Sequence, residues 1–201
     1  AVAAAFCDAD RIPVALLAAA AGLSRDEAEE AVSKLKGRSV VTLSAIDDPA
    51  LAAADWGYVA LHRLTQSMLR RRAWTVDRAG TLAVLARLRS ALVDVLEDTS
   101  HHKNFAQRVR ATPHAATLAM HLDQRQSELP ARSRSQLDQF DVAVLHWRLA
   151  EHLENAGDLR AARTNIDAAV AWGEAQGRDC DRDTAIWRAS RATMRQQQGD
   201  R

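Results

Sequence analysis

The chain has 201 residues, enough to bury a substantial core in one or two domains. Apolar residues make up 47% of it and aromatic residues 4%, and this alanine-rich balance favours closely packed helices over a sheet. With 27 Lys and Arg against 26 Asp and Glu, the formal charge of +1 excludes a global field that attracts nucleic acid or acidic lipid. Two cysteines without metal-type spacing exclude a disulfide scaffold, so we expect reduced thiols in a cytoplasmic protein.

The apolar stretch 14–23 is the strongest candidate for a targeting or membrane segment. It is about ten residues long, which is too short to span a bilayer, and charged residues follow it. A signal peptide requires a basic segment before its apolar stretch, and none precedes this one. We therefore expect no membrane contact. The first residues resemble the tail of a helix already under way, and we expect the chain to be part of a longer protein.

Two helices are predicted near the start of the chain. Pro13 is a tolerated residue in the first turn of a helix, and Gly22 ends that helix. Ser24 with Glu27 three positions later has the spacing of a capping box, which begins a second helix that Gly37 ends.

Two short strands are predicted next. The β-branched run 39–43 and the segment 58–61 favour strands, with a long polar loop between them. Helices followed by a hairpin are typical of a winged helix, which we assign to residues 1–73. The fold prediction is mainly α, a winged helix followed by helical hairpins.

Residues 74–130 predict a helical spacer. Leucines at three- and four-residue steps after Gly80 indicate an amphipathic helix, and residues 101–122 indicate another that Pro113 starts or kinks. Pro130 and a following Ser/Arg run mark the end of this region.

Residues 131–201 predict stacked helical hairpins. A long helix ends at Gly157, Asp158 caps the next helix, and a third helix begins near Asp183. A Gly-Asp pair occurs at positions 157–158 and again at positions 199–200. The offset of 42 residues indicates a repeat of fixed period. We expect the second repeat to be truncated in this chain.

The first of these hairpins resembles a tetratricopeptide repeat. Small residues let the two helices approach closely while large ones fill the space beside them. The matching positions are Leu149, Ala150, Leu153, Ala162, Ile166 and Ala169. The chain departs from the tetratricopeptide pattern at two places. At His146 and Trp147 the aromatic residue comes one position late, and Glu174 stands where a proline is common. The 42-residue offset also exceeds the standard 34. An ordinary α-hairpin remains the alternative.

The segment 61–70, directly after the second predicted strand, resembles bacterial NB-ARC-type STAND ATPases, in which a winged helix, a helical spacer and tetratricopeptide repeats follow a nucleotide-binding module. The segment 112–115 is similar to a Leu-Pro-His-Ala element of those proteins. The resemblance implies that His62 contacts the β-phosphate of ADP, with Leu61 for the family's methionine and Arg63 for its aspartate. A histidine donates a charge-assisted hydrogen bond to phosphate. The alternative is that His62 only packs or hydrogen-bonds at the end of a hairpin.

We therefore expect the regulatory arm of a STAND-type signalling ATPase. The winged helix would control the nucleotide-binding module of the parent chain, and the repeats would bind a partner protein. ADP or ATP would belong to the parent, because the sequence has no Gly-x-x-x-x-Gly-Lys-Ser/Thr loop, and we expect neither an enzyme nor a cofactor in this chain.

Two further hypotheses are a winged-helix transcription regulator with a helical sensing domain and a self-contained helical adaptor. The helix 24–36 is acidic in its first half, which disfavours DNA binding. The run 70–72 of three arginines is interpreted as a solvated helix end. His101, His102, His114 and His121 include no pair spaced by four, so no metal site is expected, and the last two are interpreted as core or interface histidines.

Overall fold

The computed structural model describes residues 1–45, 56–97, 105–128, 142–175, 182–197 and 199. It is mainly helical and contains a small three-stranded antiparallel sheet, which confirms the mainly α prediction. In chain order, the elements are α1 (Val2–Ala5), β1 (Ile12–Pro13), α2 (Val14–Ala21), α3 (Arg25–Gly37), β2 (Val41–Ser44), β3 (Tyr58–Leu61), α4 (Arg63–Val76), α5 (Arg78–Glu97), α6 (Phe105–Glu128), α7 (Val142–Asn155), α8 (Leu159–Ala175) and α9 (Arg182–Gln197).

The sheet has β3 at its centre. Strand β2 pairs with it antiparallel, with Val41 opposite Leu61, and β1 pairs on the other side, with Ile12 opposite Val59. The predicted strand 58–61 is confirmed with its bounds. The two-residue strand β1 was not predicted. Pro13 lies in it with an extended backbone, so the prediction that Pro13 occupies the first helical turn is wrong, and α2 begins one residue later.

Helix α3 begins with the predicted capping box. The backbone N–H of Glu27 donates to Ser24 Oγ at 3.4 Å, and that of Ser24 donates to Glu27 Oε2 at 2.8 Å. The helix ends at Gly37, as predicted, and Arg38 is its C-cap residue. The chain turns two residues later, where Ser39 adopts a φ of 54°. This turn delays β2 to Val41, although the sequence predicted a strand from position 39.

Two predicted features of the spacer change in the structure. Helix α5 begins before Gly80, because Asp77 Oδ1 accepts a hydrogen bond from the Gly80 N–H at 2.8 Å and caps the first turn. Helix α6 has already begun when it reaches Pro113, so this proline does not start it. Proline removes one helical hydrogen bond. The helix nevertheless continues through Pro113, and Ala111 and Ala115 on either side of it are buried.

The core runs from the sheet to the last helix without a break. Helix α5 contacts α2 on one side and α6 and α7 on the other, through fully buried Leu85, Leu88 and Leu92. Helix α8 packs between α7 and α9. The predicted boundary at Pro130 and the Ser/Arg run lie outside the described residues. Across the described ranges, no helix is both long and apolar enough to cross a membrane.

Candidate functional site

His62 lies between β3 and α4, at the junction where the sequence placed it. Its side chain is exposed, and its Nδ1 accepts a hydrogen bond from the Leu64 N–H at 3.3 Å. The imidazole therefore caps the first turn of α4, satisfying one of the N–H groups that a helix start leaves free. Because Nδ1 accepts, the neutral ring carries its proton on Nε2. The residue thus presents a hydrogen-bond donor at the surface.

His62 and Arg63 line an open depression of about 480 Å³. The loop before β1 contributes Asp10, and β2 contributes Thr42. The lining combines two cationic or donor groups with a carboxylate and a hydroxyl. Small-molecule sites normally bury most of their ligand. An open depression of this kind is better suited to a polar group presented by another macromolecule.

Helix α4 is held in place beneath His62 by contacts to α1. Gln66 Nε2 donates to the carbonyl oxygens of Ala4 at 2.9 Å and Cys7 at 3.0 Å, and Arg70 Nη1 donates to that of Ala5 at 2.6 Å. These carbonyls lie at and just beyond the end of α1, where helical hydrogen bonding stops; the Ala4 carbonyl also accepts from the Cys7 N–H at 3.4 Å. Burial lowers the pKa of Arg70.

Sequence reasoning missed both of these α4 residues. Arg70 was interpreted as part of a solvated run, and this is wrong for Arg70 but holds for the exposed Arg71 and Arg72. Residues 66 and 70 lie one turn apart on a helix, and that spacing is the signal that would have placed them on one face.

The six repeat-packing residues come together between α7 and α8. The helices are joined by residues 156–158, and Asp158 Oδ1 accepts from the Ala161 N–H at 3.0 Å, so the predicted cap is confirmed. Leu153 is half-buried. The fully buried members are Leu149, Ala150, Ala162, Ile166 and Ala169. All six are packing residues.

Two large apolar residues of the last two helices are exposed. Leu159 is 38% exposed at the first position of α8, and Ile186 is 39% exposed on α9. The buried side of α9 follows Thr184, Trp187 and Met194, which recur at steps of three and seven. Ile186 precedes Trp187 by one position and so points about 100° away from it.

His146 stands where the repeat pattern expects an aromatic residue, and it is 4% exposed. Its Nδ1 lies 3.0 Å from Asn165 Oδ1, and its Nε2 lies 3.2 Å from Asp123 Oδ1. Trp172 Nε1 donates to the same Asp123 oxygen at 2.6 Å. This departure from the pattern therefore has a structural reason, because His146 joins a polar network between α6, α7 and α8. The sequence did not indicate it.

Of the described histidines of the spacer, His114 is a core residue and His121 is half-buried. His114 is buried with its Nε2 3.2 Å from the Arg11 carbonyl oxygen, and burial lowers its pKa. His121 meets the Phe6 ring edge-on at 5.9 Å. No group of three or more His, Cys, Asp and Glu side chains in the described part of the chain is placed to hold a metal. His101 and His102 lie outside it.

Searches against protein-family models, curated proteins and solved structures found no match to this chain.

Proposed function

We propose that this chain is the regulatory and protein-interaction region of a STAND-type signalling ATPase. A winged helix would control the nucleotide-binding module, and tetratricopeptide-type helices would bind a partner protein. The observation that carries the proposal is the placement of His62, exposed at the strand-to-helix junction with its Nε2 free to donate. In the parent protein this donor would contact the β-phosphate of ADP, with the Arg63 guanidinium beside it.

The arrangement of the first elements supports a winged helix. In the order α1, β1, α2, α3, β2, β3, three helices accompany a small sheet, and β2 and β3 pair antiparallel as the two strands of a wing would. His62 follows the last wing strand directly.

The outer face of α4 supports docking of another module beside His62. Leu64 is 71% exposed and Met68 is 73% exposed, and their four-residue spacing places them on one face. Large apolar side chains at adjacent surface positions mark interaction sites more often than scattered ones do. A module that contacts His62 would also bury this pair.

The last three helices support the tetratricopeptide assignment. Helices α7 and α8 form a hairpin with alanines at the points of contact, and α9 packs on α8 as the first helix of a following repeat would. A stack of this kind offers an extended surface for a protein partner.

Helix α3 supports the ATPase proposal over the transcription-regulator alternative. It is the helix that a winged helix would insert into DNA. Helix α3 exposes Asp26 and Glu27 in its first turn. Two of its cations are paired, Arg25 with Glu29 at 2.8 Å and Lys34 with Glu30 at 2.7 Å. Such a surface does not attract phosphates. A duplex-binding titration at several salt concentrations tests the alternative, which requires affinity that falls steeply with salt.

The deciding experiment measures the release of fluorescently labelled ADP from the full-length parent protein. We expect His62→Ala to speed release by about tenfold or more, because a hydrogen bond to a charged group contributes about 1.5–3 kcal/mol. Ser67→Ala, on the exposed side of α4, is the matched control and should leave the rate unchanged. Unchanged release in His62→Ala, or a parent gene that encodes no P-loop, contradicts the proposal.

A further inference from the structure

An apolar cavity of about 200 Å³ lies where α2, α5 and α6 meet. Ala15 and Ala19 line it from α2, and Ala91 and Val95 line it from α5. Small side chains facing one another leave this volume open, whereas protein interiors are normally close-packed. The cavity is partly open to solvent, since Ala19 in its α2 wall is exposed, so a ligand could enter it from the surface. The volume therefore suits the body of a small apolar molecule.

The α6 wall of the cavity carries two polar side chains, Gln107 and Arg110. The Arg110 guanidinium lies over the Tyr58 ring at 5.1 Å from the centroid. Its Nη1 is buried and has no hydrogen-bond acceptor within the described ranges. Nη1 itself is closed to solvent, so an anionic oxygen in the cavity would meet the other N–H groups of this half-buried side chain, and a guanidinium hydrogen-bonds a carboxylate strongly.

We propose that the cavity binds a small apolar monocarboxylate. The carboxylate would accept hydrogen bonds from Arg110 and Gln107, and the apolar body would lie between the alanines of α2 and α5. The single guanidinium and the apolar walls match the single negative charge and the apolar body of a monocarboxylate. The residues that line this cavity and the residues around His62 are separate sets among those described, so the site stands apart from the proposed nucleotide response.

The first test titrates phenylacetate and its neutral analogue 2-phenylethanol into the chain, with binding followed by calorimetry and amide chemical shifts. Phenylacetate should bind saturably and at least about tenfold more tightly than the alcohol, the ratio expected for a charge-assisted hydrogen bond. Arg110→Gln should remove this difference. Arg71→Gln, at an exposed position of α4, is the control and should leave both affinities unchanged.

The second test fills the cavity. Ala91→Leu should abolish binding of both probes, and Ala15→Leu, which fills the volume from the opposite wall, should do the same. Circular dichroism and thermal unfolding establish that each variant is folded. The proposal is overturned if phenylacetate does not bind saturably, if the alcohol binds equally well, or if a folded filling variant or Arg110→Gln binds phenylacetate as the wild type does.

Discussion

Trp172 Nε1 donates a hydrogen bond of 2.6 Å to Asp123 Oδ1, joining α8 to α6. His146 Nε2, from α7, lies 3.2 Å from the same oxygen. Trp172 and His146 are buried, whereas the Asp123 side chain is 42% exposed. One carboxylate at the edge of the core therefore holds the hairpin of α7 and α8 against the spacer helix, and it keeps two buried polar groups satisfied.

We expect Asp123→Ala to reduce the free energy of unfolding by about 1–3 kcal/mol, because it leaves buried donors on Trp172 and His146 without an acceptor. Urea unfolding measures the change. Asp167→Ala is the control, since Asp167 forms surface ion pairs with arginines of the described helices at 3.4–4.0 Å and its loss should cost less than about 1 kcal/mol. Equal losses in the two variants would contradict the assigned role of Asp123.

Gly173 marks the close approach of α8 and α9. A Cβ placed on it would lie 2.7 Å from Thr184 Oγ1 and 3.1 Å from the Trp187 ring. We expect Gly173→Ala to destabilise the protein, because overpacking costs about 1–3 kcal/mol and exceeds the helix-propensity gain of up to about 1 kcal/mol.

The matched variant for this test is Gly37→Ala. A Cβ on Gly37, at the end of α3, meets no atom within 4 Å. The same substitution should therefore be neutral or stabilise by up to about 1 kcal/mol. Thermal unfolding of both variants gives the comparison. A more stable Gly173→Ala protein would show that α8 and α9 do not approach so closely.

Protonation of His114 should make stability depend on pH. Burial lowers its pKa, while the hydrogen bond to the Arg11 carbonyl and the charge of Asp8 act in the opposite direction. Below about pH 6.5 the unfolded chain binds a proton that the folded chain does not. The contribution of such a histidine to the free energy of unfolding is therefore complete above that pH. As the pH falls below it, the free energy of unfolding decreases by up to about 1.4 kcal/mol per pH unit for each such histidine.

Urea unfolding between pH 8 and pH 5.5 measures this slope. His114→Gln keeps a donor for the Arg11 carbonyl but does not titrate, and its stability should fall less steeply. The pKa values of His121 and His152 are also lowered by burial and by neighbouring arginines, so part of the slope should remain in the variant. Parallel curves for variant and wild type would contradict the burial of His114.

Features that depend on neighbours in sequence were predictable. The capping box of Ser24 and Glu27 and the cap at Asp158 are set by side chains three positions from the backbone they contact. The bounds of β3 followed from a short run of strand-favouring residues. The burial of the repeat alanines followed from their helical spacing. His62 also lies at the predicted junction. Its role toward a nucleotide and the tetratricopeptide assignment stay predictions.

Features that join distant segments were decided by the tertiary structure. Strand β1 is too short to leave a pattern and exists because Ile12 pairs with Val59. Arg70 turns from the solvent because it reaches the end of α1, 65 positions away in the chain. The side chains around His62 and the cavity beside Arg110 likewise come from separate elements. Periodicity and capping specify each helix locally, but which faces meet depends on how all the apolar surfaces are buried together.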